Sequence, residues 1–294
     1  MSARTIRIAT RASALALWQA NHVAERLRAA LGDVAVELVE LSTVGDRRTD
    51  VPLSVIGGKG VFVKEVQAAV LDGRADCAVH SAKDLPALTP DGLTIAAIPE
   101  RADPRDVLVG STLADLAEGA TVATGSARRR SQLAAVRPDL RFEELRGNID
   151  TRLGKLDTFD AIVMAAAALD RLGRTPEIVD HLSTDVMLPQ VGQAALAVEC
   201  RTDDAELIAA LASLDHAETR RCVTAERAFL EELGGDCDLP AGAFAEPVGD
   251  RLRVRGMLVS PTSGALCRAE RLGEDPVEIG VSVARELTRL VEVG

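Results

Sequence analysis

The strongest constraint on the fold is the alternation of short apolar runs with amphipathic segments through the first two-thirds of the 294-residue chain. Strand-like runs at 6–9, 76–79 and 121–124 alternate with helix-like segments such as 14–30 and 127–136. Strands separated by helices predict right-handed βαβ units and mostly parallel sheets. We therefore expect an α/β fold in this part of the chain.

The last third of the chain has a different pattern. A long helix-like segment at 216–233 precedes three strand-like runs at 242–247, 252–259 and 266–272, and a final helix-like segment covers 277–293. Strands that follow one another without intervening helices predict an antiparallel sheet. We expect a small C-terminal α+β domain.

Two proline-containing segments are candidate hinges, 99–104 and 188–190. We expect three domains, with boundaries near these hinges: domain 1 from 1–99 together with 194–215, domain 2 from 104–190, and domain 3 from 216–294 with a glycine-rich loop.

Composition excludes several classes of protein. The net charge is −11 and aromatic residues make up 2% of the chain, which disfavours nucleic-acid binding. No apolar run is long enough for a signal peptide or a membrane span, so we expect a cytoplasmic protein. The five cysteines lack a Cys-x-x-Cys pair and the four histidines lack ligand spacing, so neither a disulfide framework nor a metal site is expected.

Positive charge recurs where predicted strands end, which is where open α/β sheets bind ligands. The segment 124–155 holds eight Lys and Arg residues against four acidic ones. The polar residues that follow the strands are Arg11, Ser13, His80, Ser81, Lys83, Asp84, Ser126, Arg128, Arg129, Arg130, Arg146 and Arg152.

Arg128 and Arg129 fall in the first turn of a predicted helix that Ser126 can cap. A cation at this position interacts unfavourably with the positive end of the helix dipole, and each one costs roughly 0.3–1 kcal/mol of stability. A solvated basic face is one interpretation, and an anion bound at the helix N-terminus is the other. Because arginine forks match carboxylates, a ligand with several carboxylates fits best.

Two further features each allow two interpretations. Lys83 and Asp84 form either a surface ion pair or part of a site at a strand end. Cys237 lies in a polar, glycine-rich loop and is either a reactive or modified thiol or an ordinary small side chain. The other cysteines lie in strand-like runs or on a helix and are interpreted as small buried hydrophobic residues, namely Cys77, Cys200, Cys222 and Cys267.

Ordered motifs from about residue 6 to residue 247 resemble the porphobilinogen deaminase family. They are Ile8-Ala-Thr-Arg-x-Ser13, Ala16-Leu-Trp-Gln19, Gly57-Gly-Lys-Gly60 with Phe62, Ala78-Val-His-Ser-x-Lys-Asp-Leu-Pro86, Glu100-Arg-x-Asp-Pro-Arg-Asp106, Ser126-x-Arg-Arg129, Leu145-Arg-Gly-Asn148, Thr151-Arg-Leu153, Leu188-Pro-Gln-Val-Gly-Gln193 and Glu226-Arg227.

The resemblance implies an activity and a cofactor. The family condenses four porphobilinogen molecules head to tail, releases ammonia and yields linear hydroxymethylbilane, primed by a dipyrromethane joined by a thioether to a loop cysteine. Cys237 matches that cysteine, Asp84 matches the catalytic aspartate, and Lys59 and Phe62 match the active-site loop. The other matches to cofactor-binding residues are Lys83, Ser126, Arg128, Arg129 and Arg146, and those to substrate-binding residues are Arg11, Ser13, Gln19, Arg152 and Arg171.

The resemblance also implies two periplasmic-binding-protein-like βαβ domains and a monomeric protein whose partner is the small molecule porphobilinogen. Three positions depart from the family pattern: Asp236 before the cysteine, Gly125 and Arg130. The alternative is a non-enzymatic, two-lobed carboxylate-binding module. That alternative accounts for the arginines but not for Cys237.

Overall fold

The computed structural model describes residues 5–32, 34–43, 63–234 and 239–293. The chain divides into two compact units. Unit 1 is Met1–Arg101 with Ala195–Arg220, and unit 2 is Ala102–Ala194 with Arg221–Gly294. The predicted three-domain division stays a prediction.

Among the described residues the strands are β1 Ile6–Arg11, β2 Val36–Leu41, β3 Cys77–Ser81, β4 Leu93–Ala97, β5 Asp106–Val109, β6 Thr121–Ala123, β7 Arg141–Glu143, β8 Ala161–Ala165, β9 Asp180–His181, β10 Leu196–Arg201, β11 Ala241–Val248, β12 Arg251–Val259 and β13 Leu266–Gly273. The α-helices are α1 Ala14–Leu31, α2 Lys64–Leu71, α3 Ala127–Val136, α4 Ile149–Leu153, α5 Ala166–Arg171, α6 Ala205–Leu211, α7 Ala217–Glu232 and α8 Pro276–Val293.

Unit 1 is built on a five-stranded sheet with the order β2-β1-β3-β10-β4. Helix α1 begins where Ser13 accepts a hydrogen bond from the Ala16 backbone N–H, and it ends at Gly32, whose φ is +76°. Its buried residues Val23 and Leu27 share a core with Ile8 of β1. A second core contains residues of α2, β1 and β3, so this unit buries two apolar clusters.

Unit 2 contains a five-stranded sheet with the order β7-β6-β8-β5-β9 and a separate three-stranded antiparallel sheet, β11-β12-β13. The smaller sheet shares one core with α7 and α8, in which Phe229, Val283 and Leu287 are fully buried. A Cβ at Gly256 would lie 2.7 Å from Val283 Cγ1 and 2.8 Å from the Phe229 ring, so only glycine allows this close approach. The predicted α/β fold with a small C-terminal α+β part is therefore confirmed.

The expectation of mostly parallel sheets holds for strand direction, since four strands of each five-stranded sheet run the same way, but one strand in each sheet, β10 or β5, runs against the others. Each five-stranded sheet has two parallel and two antiparallel pairings. The pairs β1–β2 and β6–β7 are parallel because a crossover helix returns the chain to the same end of the sheet. Strands β5 and β10 are the first strands after the chain passes from one unit to the other, and they enter in the opposite direction.

Candidate active site

The first group of predicted site residues lies in unit 1, where β1 and β3 end. Arg11 is the last residue of β1 and Ser13 caps α1. Lys83 and Asp84 belong to a single 3₁₀ turn, Ala82–Asp84, that follows β3 directly. Because β1 and β3 are paired and parallel, their carboxyl ends meet at one edge of the sheet. The structure therefore brings these four side chains to one place.

These four residues line a small cavity of about 80 Å³. Gln19 of α1, which sequence analysis also selected, lines it too. The remaining lining residues are Leu15, Ala16, Val63, Val66, Val79, His80 and Ser81. The cavity lining thus combines cationic, anionic, hydroxyl and apolar side chains.

Gln19 holds the edge of this cavity through a reciprocal contact. Its Nε2 donates to Ser81 Oγ at 2.9 Å, and its Oε1 lies 3.2 Å from the same hydroxyl, which can donate to it. The Gln19 side chain is buried. A side chain engaged in this way fixes α1 against the end of β3, beside Lys83 and Asp84.

His80, which lines the cavity, belongs to a buried acid–base pair that sequence analysis did not select as a pair. His80 Nε2 is 3.0 Å from Glu199 Oε2, an ion-pair distance without hydrogen-bond alignment. Gln67 Nε2 donates to the same carboxylate oxygen at 3.0 Å. His80 appears in a quoted motif, but Glu199 lies in the apolar run of β10, and only the pairing of β10 with β3 brings them together.

The second group lies in unit 2 at the N-terminus of α3. Ser126 is the N-cap, and its Oγ accepts from the Arg129 backbone N–H at 3.4 Å. The predicted helix and its cap are confirmed. Arg128 and Arg129 are 4% and 8% exposed, so they do not form the solvated basic face that one interpretation required.

Both guanidinium groups converge on Asp106, the first residue of β5. Arg129 Nη2 lies 2.7 Å from Asp106 Oδ1, and Arg128 Nη2 lies 2.8 Å from Oδ2. Burial disfavours the charged carboxylate, but the two arginines outweigh it and lower the pKa of Asp106 to about 2. Burial lowers the pKa of Arg128 from its ordinary value, opposed by Asp106.

Arg146 precedes the short helix α4, and Arg152 lies in the last turn of that helix. Arg152 Nε donates to the Gly147 carbonyl at 2.8 Å, and Arg146 Nε lies 3.2 Å from Glu144 Oε1. Gly147 has a φ of +114°, and a Cβ there would lie 2.6 Å from Thr151 Cγ2. The Arg-Gly-Asn motif therefore includes a backbone turn that another residue would strain.

Arg171 ends α5, and its Nη2 donates to the Ala194 carbonyl at 2.6 Å. Burial lowers the pKa of Arg171 to about 10, with Asp170 acting in the opposite direction. Ala194 has a φ of +70°, a left-handed conformation that is uncommon for a residue other than glycine. The arginine contact lies at the point where the chain leaves unit 2.

Cys237, Asp236, Lys59 and Phe62 lie outside the described residues. Their assigned roles stay predictions. The chain is described again from Leu239, and Gly242 lies against Arg128. A Cβ on Gly242 would be 3.0 Å from Arg128 Cδ and 2.8 Å from the Pro189 carbonyl oxygen.

The other cysteines agree with their interpretation as packing residues in three cases. Cys77, Cys200 and Cys222 are buried, whereas Cys267 is partly exposed. Burial raises the pKa of the Cys200 thiol to about 11, which removes its nucleophilic form near neutral pH.

The part of the chain that the structure describes lacks two kinds of feature. No helix there is long and apolar enough to cross a membrane. No cluster of three or more His, Cys, Asp and Glu side chains suited to a metal ion occurs among those residues.

Two periplasmic binding proteins are among the solved structures with similar backbones. One is the aliphatic sulphonate binding protein of Escherichia coli, 16% identical, which covers 78% of this chain and 70% of that chain with a TM-score of 0.38. The other is an arginine-specific protein of Salmonella typhimurium, 13% identical, which covers 72% and 92% with a TM-score of 0.38. These scores are too low to add to the topology described above.

Sequence comparison is far more specific. Residues 6–209 match the model of the porphobilinogen deaminase, dipyromethane cofactor binding domain, and residues 220–289 match that of the porphobilinogen deaminase, C-terminal domain. The porphobilinogen deaminase of Brevibacillus brevis is 49% identical over 288 residues, which cover 96% of this chain and 93% of that protein. Together with the cationic and acidic side chains at the strand ends, these matches show that the chain belongs to the porphobilinogen deaminase family.

Proposed function

We propose that this chain joins four porphobilinogen molecules into hydroxymethylbilane with Asp84 as the catalytic carboxylate. The observation that carries the assignment is the position of Asp84 in the turn after β3, lining one cavity with Lys83, Arg11 and Ser13. Among the described residues that line this cavity, Asp84 is the one acidic side chain, and Lys83 and Arg11 are the Lys and Arg side chains.

The chemistry calls for a carboxylate at such a position. Loss of ammonia from porphobilinogen leaves an electron-poor azafulvene whose positive charge is shared with the pyrrole nitrogen. A carboxylate fixed beside that nitrogen stabilises the charge as it develops, and it can accept the pyrrole N–H in a hydrogen bond. Asp84 supplies this group, Arg11 supplies positive charge to hold a substrate carboxylate, and Lys83 supplies positive charge on the side of the cofactor.

The cationic residues have a matching role. Each porphobilinogen carries an acetate and a propionate, so negative charge accumulates as the product grows. The substrate-binding residues in this proposal are Arg11, Ser13, Gln19, Arg152 and Arg171, and the cofactor-binding residues are Lys83, Asp84, Ser126, Arg128, Arg129 and Arg146. Arginines present paired N–H donors that suit carboxylates.

The donors of unit 2 fit a carboxylate-bearing dipyrromethane attached through Cys237. Asp106 neutralises one of the two charges of Arg128 and Arg129, so one positive charge remains at the N-terminus of α3. Cys237 precedes Gly242 by five residues, which span at most about 18 Å. When bound, the dipyrromethane supplies the pyrrole carbon to which the first substrate unit is joined. Lys59 and Phe62 are assigned to the active-site loop.

Several properties complete the proposal. Family membership supports a cytoplasmic monomer. The separate core of the three-stranded sheet supports a third domain. The net charge of −11 supports the expectation that nucleic acid is not a partner. The carboxylate-binding module considered as an alternative shares the arginines, but family membership favours the enzyme.

Asp84→Asn tests the catalytic assignment because asparagine keeps the size of the side chain and removes its charge. We expect kcat to fall by roughly 10²–10³, the usual effect of removing one preorganised electrostatic group, with little change in thermal stability. The measurement is single-turnover kinetics on protein whose cofactor content has been determined by intact mass.

Asp72→Asn is the matched control, since Asp72 pairs with Arg74 at the surface of the same unit. This control should keep the wild-type rate. An Asp84→Asn variant that turned over at the wild-type rate would show that Asp84 is only half of a surface ion pair.

A further inference from the structure

Asp106 is a buried carboxylate that the proposed function does not count among the catalytic or binding residues. It begins β5, whose other residues Val107, Leu108 and Val109 are apolar and buried, and its own side chain is fully buried. A carboxylate removed from water is strongly unfavourable unless it is paired and hydrogen-bonded. Its position therefore requires specific partners.

Those partners are the two arginines of α3. Arg129 donates to Asp106 Oδ1 from Nε at 3.1 Å and from Nη2 at 2.7 Å. Arg128 Nη2 lies 2.8 Å from Oδ2. Gln193 Nε2 donates to Oδ1 at 3.0 Å and to the Pro104 carbonyl at 2.8 Å, so the carboxylate is itself held in place.

Each guanidinium is also anchored at a second point. Arg128 Nη1 donates to the Leu188 carbonyl at 2.5 Å, and Arg129 Nη1 donates to the Val163 carbonyl at 3.0 Å. A planar group held at two points has a fixed orientation. The N–H groups that remain on each side chain therefore point in set directions.

The charges of this cluster do not cancel. Two guanidinium groups and one carboxylate leave one net positive charge, buried beside the positive end of the α3 dipole. Without Asp106 the two adjacent cations would repel each other and oppose the dipole. With it, the cluster is suited to a single additional carboxylate.

We propose that Asp106 is a positioning residue that orients Arg128 and Arg129 to bind one carboxylate of the dipyrromethane. It acts through the arginines and does not touch the ligand. This inference rests on the proposed function, which assigns both arginines to cofactor binding.

The experiment compares Asp106→Asn, Arg129→Gln and the double variant with the wild type. The readouts are cofactor occupancy by intact mass, the rate at which cofactor-free protein becomes loaded in porphobilinogen, kcat and KM of the loaded fraction, and thermal unfolding. The matched control is Asp103→Asn, which removes a carboxylate three residues away that pairs with Arg105 and is partly exposed.

We expect Asp106→Asn to slow loading at least tenfold and to change kcat of the loaded fraction less than threefold, while Asp103→Asn loads as the wild type does. The double variant should load no more slowly than the slower single variant, because residues that act as a unit are non-additive. A loading rate of Asp106→Asn within twofold of the wild-type rate would overturn the proposal. So would a double variant whose loading rate is reduced by the product of the two single-variant factors.

Arg129→Lys keeps the proposal testable if Asp106→Asn does not fold. Lysine at position 129 keeps the positive charge of that side chain, so the cluster still has two cations. It replaces the two guanidinium donors to Asp106 Oδ1 with a single ammonium group. Slower loading with unchanged unfolding temperature supports the positioning role, and unchanged loading overturns it. A wild-type protein that neither carries the added mass nor consumes porphobilinogen would overturn the proposed function itself.

Discussion

Arg128→Ala and Arg146→Ala are equivalent changes in sequence, and the structure predicts different consequences for protein stability. Arg128 is 4% exposed and contacts both Asp106 and the Leu188 carbonyl. Arg146 is partly exposed, and its side chain lies 3.2 Å from a Glu144 carboxylate that faces solvent. Removal of Arg128 leaves Arg129 as the one described cation within ion-pair distance of Asp106.

The magnitude follows from these contacts. The hydrogen bond from the charged Arg128 guanidinium to the Leu188 carbonyl contributes about 1.5–3 kcal/mol, and loss of the ion pair with Asp106 adds to this cost. The desolvation that burial imposes on Arg128 offsets part of this sum. We therefore expect a loss of about 2–3 kcal/mol, which corresponds to roughly 5–10 °C in Tm for a unit of this size. For Arg146→Ala we expect less than about 0.5 kcal/mol.

The assay is thermal unfolding of both variants at neutral pH, followed by far-ultraviolet circular dichroism, with cofactor loading measured on the same samples. Both variants should load cofactor more slowly, but only Arg128→Ala should unfold at a clearly lower temperature. Equal unfolding temperatures for the two variants would refute the argument that Asp106 and Arg128 form a stabilising buried pair.

Two other predictions concern the cofactor and acid stability. Cys237→Ser should remove an excess of two linked pyrrole units from the intact mass, and an unmodified wild-type protein with full activity would contradict this attachment. Because the folded-state pKa of Asp106 is lowered from 3.8 to about 2, its contribution to stability is present above pH 4 and is lost as the pH falls toward 2. Asp106→Asn should remove on the order of 2 kcal/mol of that acid-sensitive stability, which urea unfolding at a series of pH values would measure against the wild type.

Local signals in the sequence predicted the helices of the candidate site well. Ser13 and Gly32 delimit α1 as expected, and Ser126 caps α3. These features depend on neighbours within a few residues, so they can be recognised without knowledge of the fold. The same holds for the placement of Lys83 and Asp84 just after a strand, which brings them to the cavity edge.

Features that depend on distant parts of the chain were not predicted. The antiparallel direction of β5 and β10 depends on how the chain enters each sheet, and no local pattern records it. The pairing of Glu199 with His80 depends on that direction. Likewise, the positive charge on α3 suggested a bound external anion. In the structure, Arg128 and Arg129 instead pair with a carboxylate of the chain itself, Asp106, about 20 residues earlier in the sequence.

Several motifs without catalytic side chains support α3 and its arginines. Gln132 of α3 accepts from the Leu188 backbone N–H at 2.8 Å, which ties the helix to the Leu-Pro-Gln motif. Buried Glu226 accepts from the Gly192 N–H at 2.7 Å and from the Ala245 N–H at 3.0 Å, which ties the end of that motif to α7 and β11. Gly242, on β11, then leaves room for Arg128. These contacts give the motifs a shared physical purpose, because two buried cations keep a fixed direction only if the surrounding backbone is itself fixed.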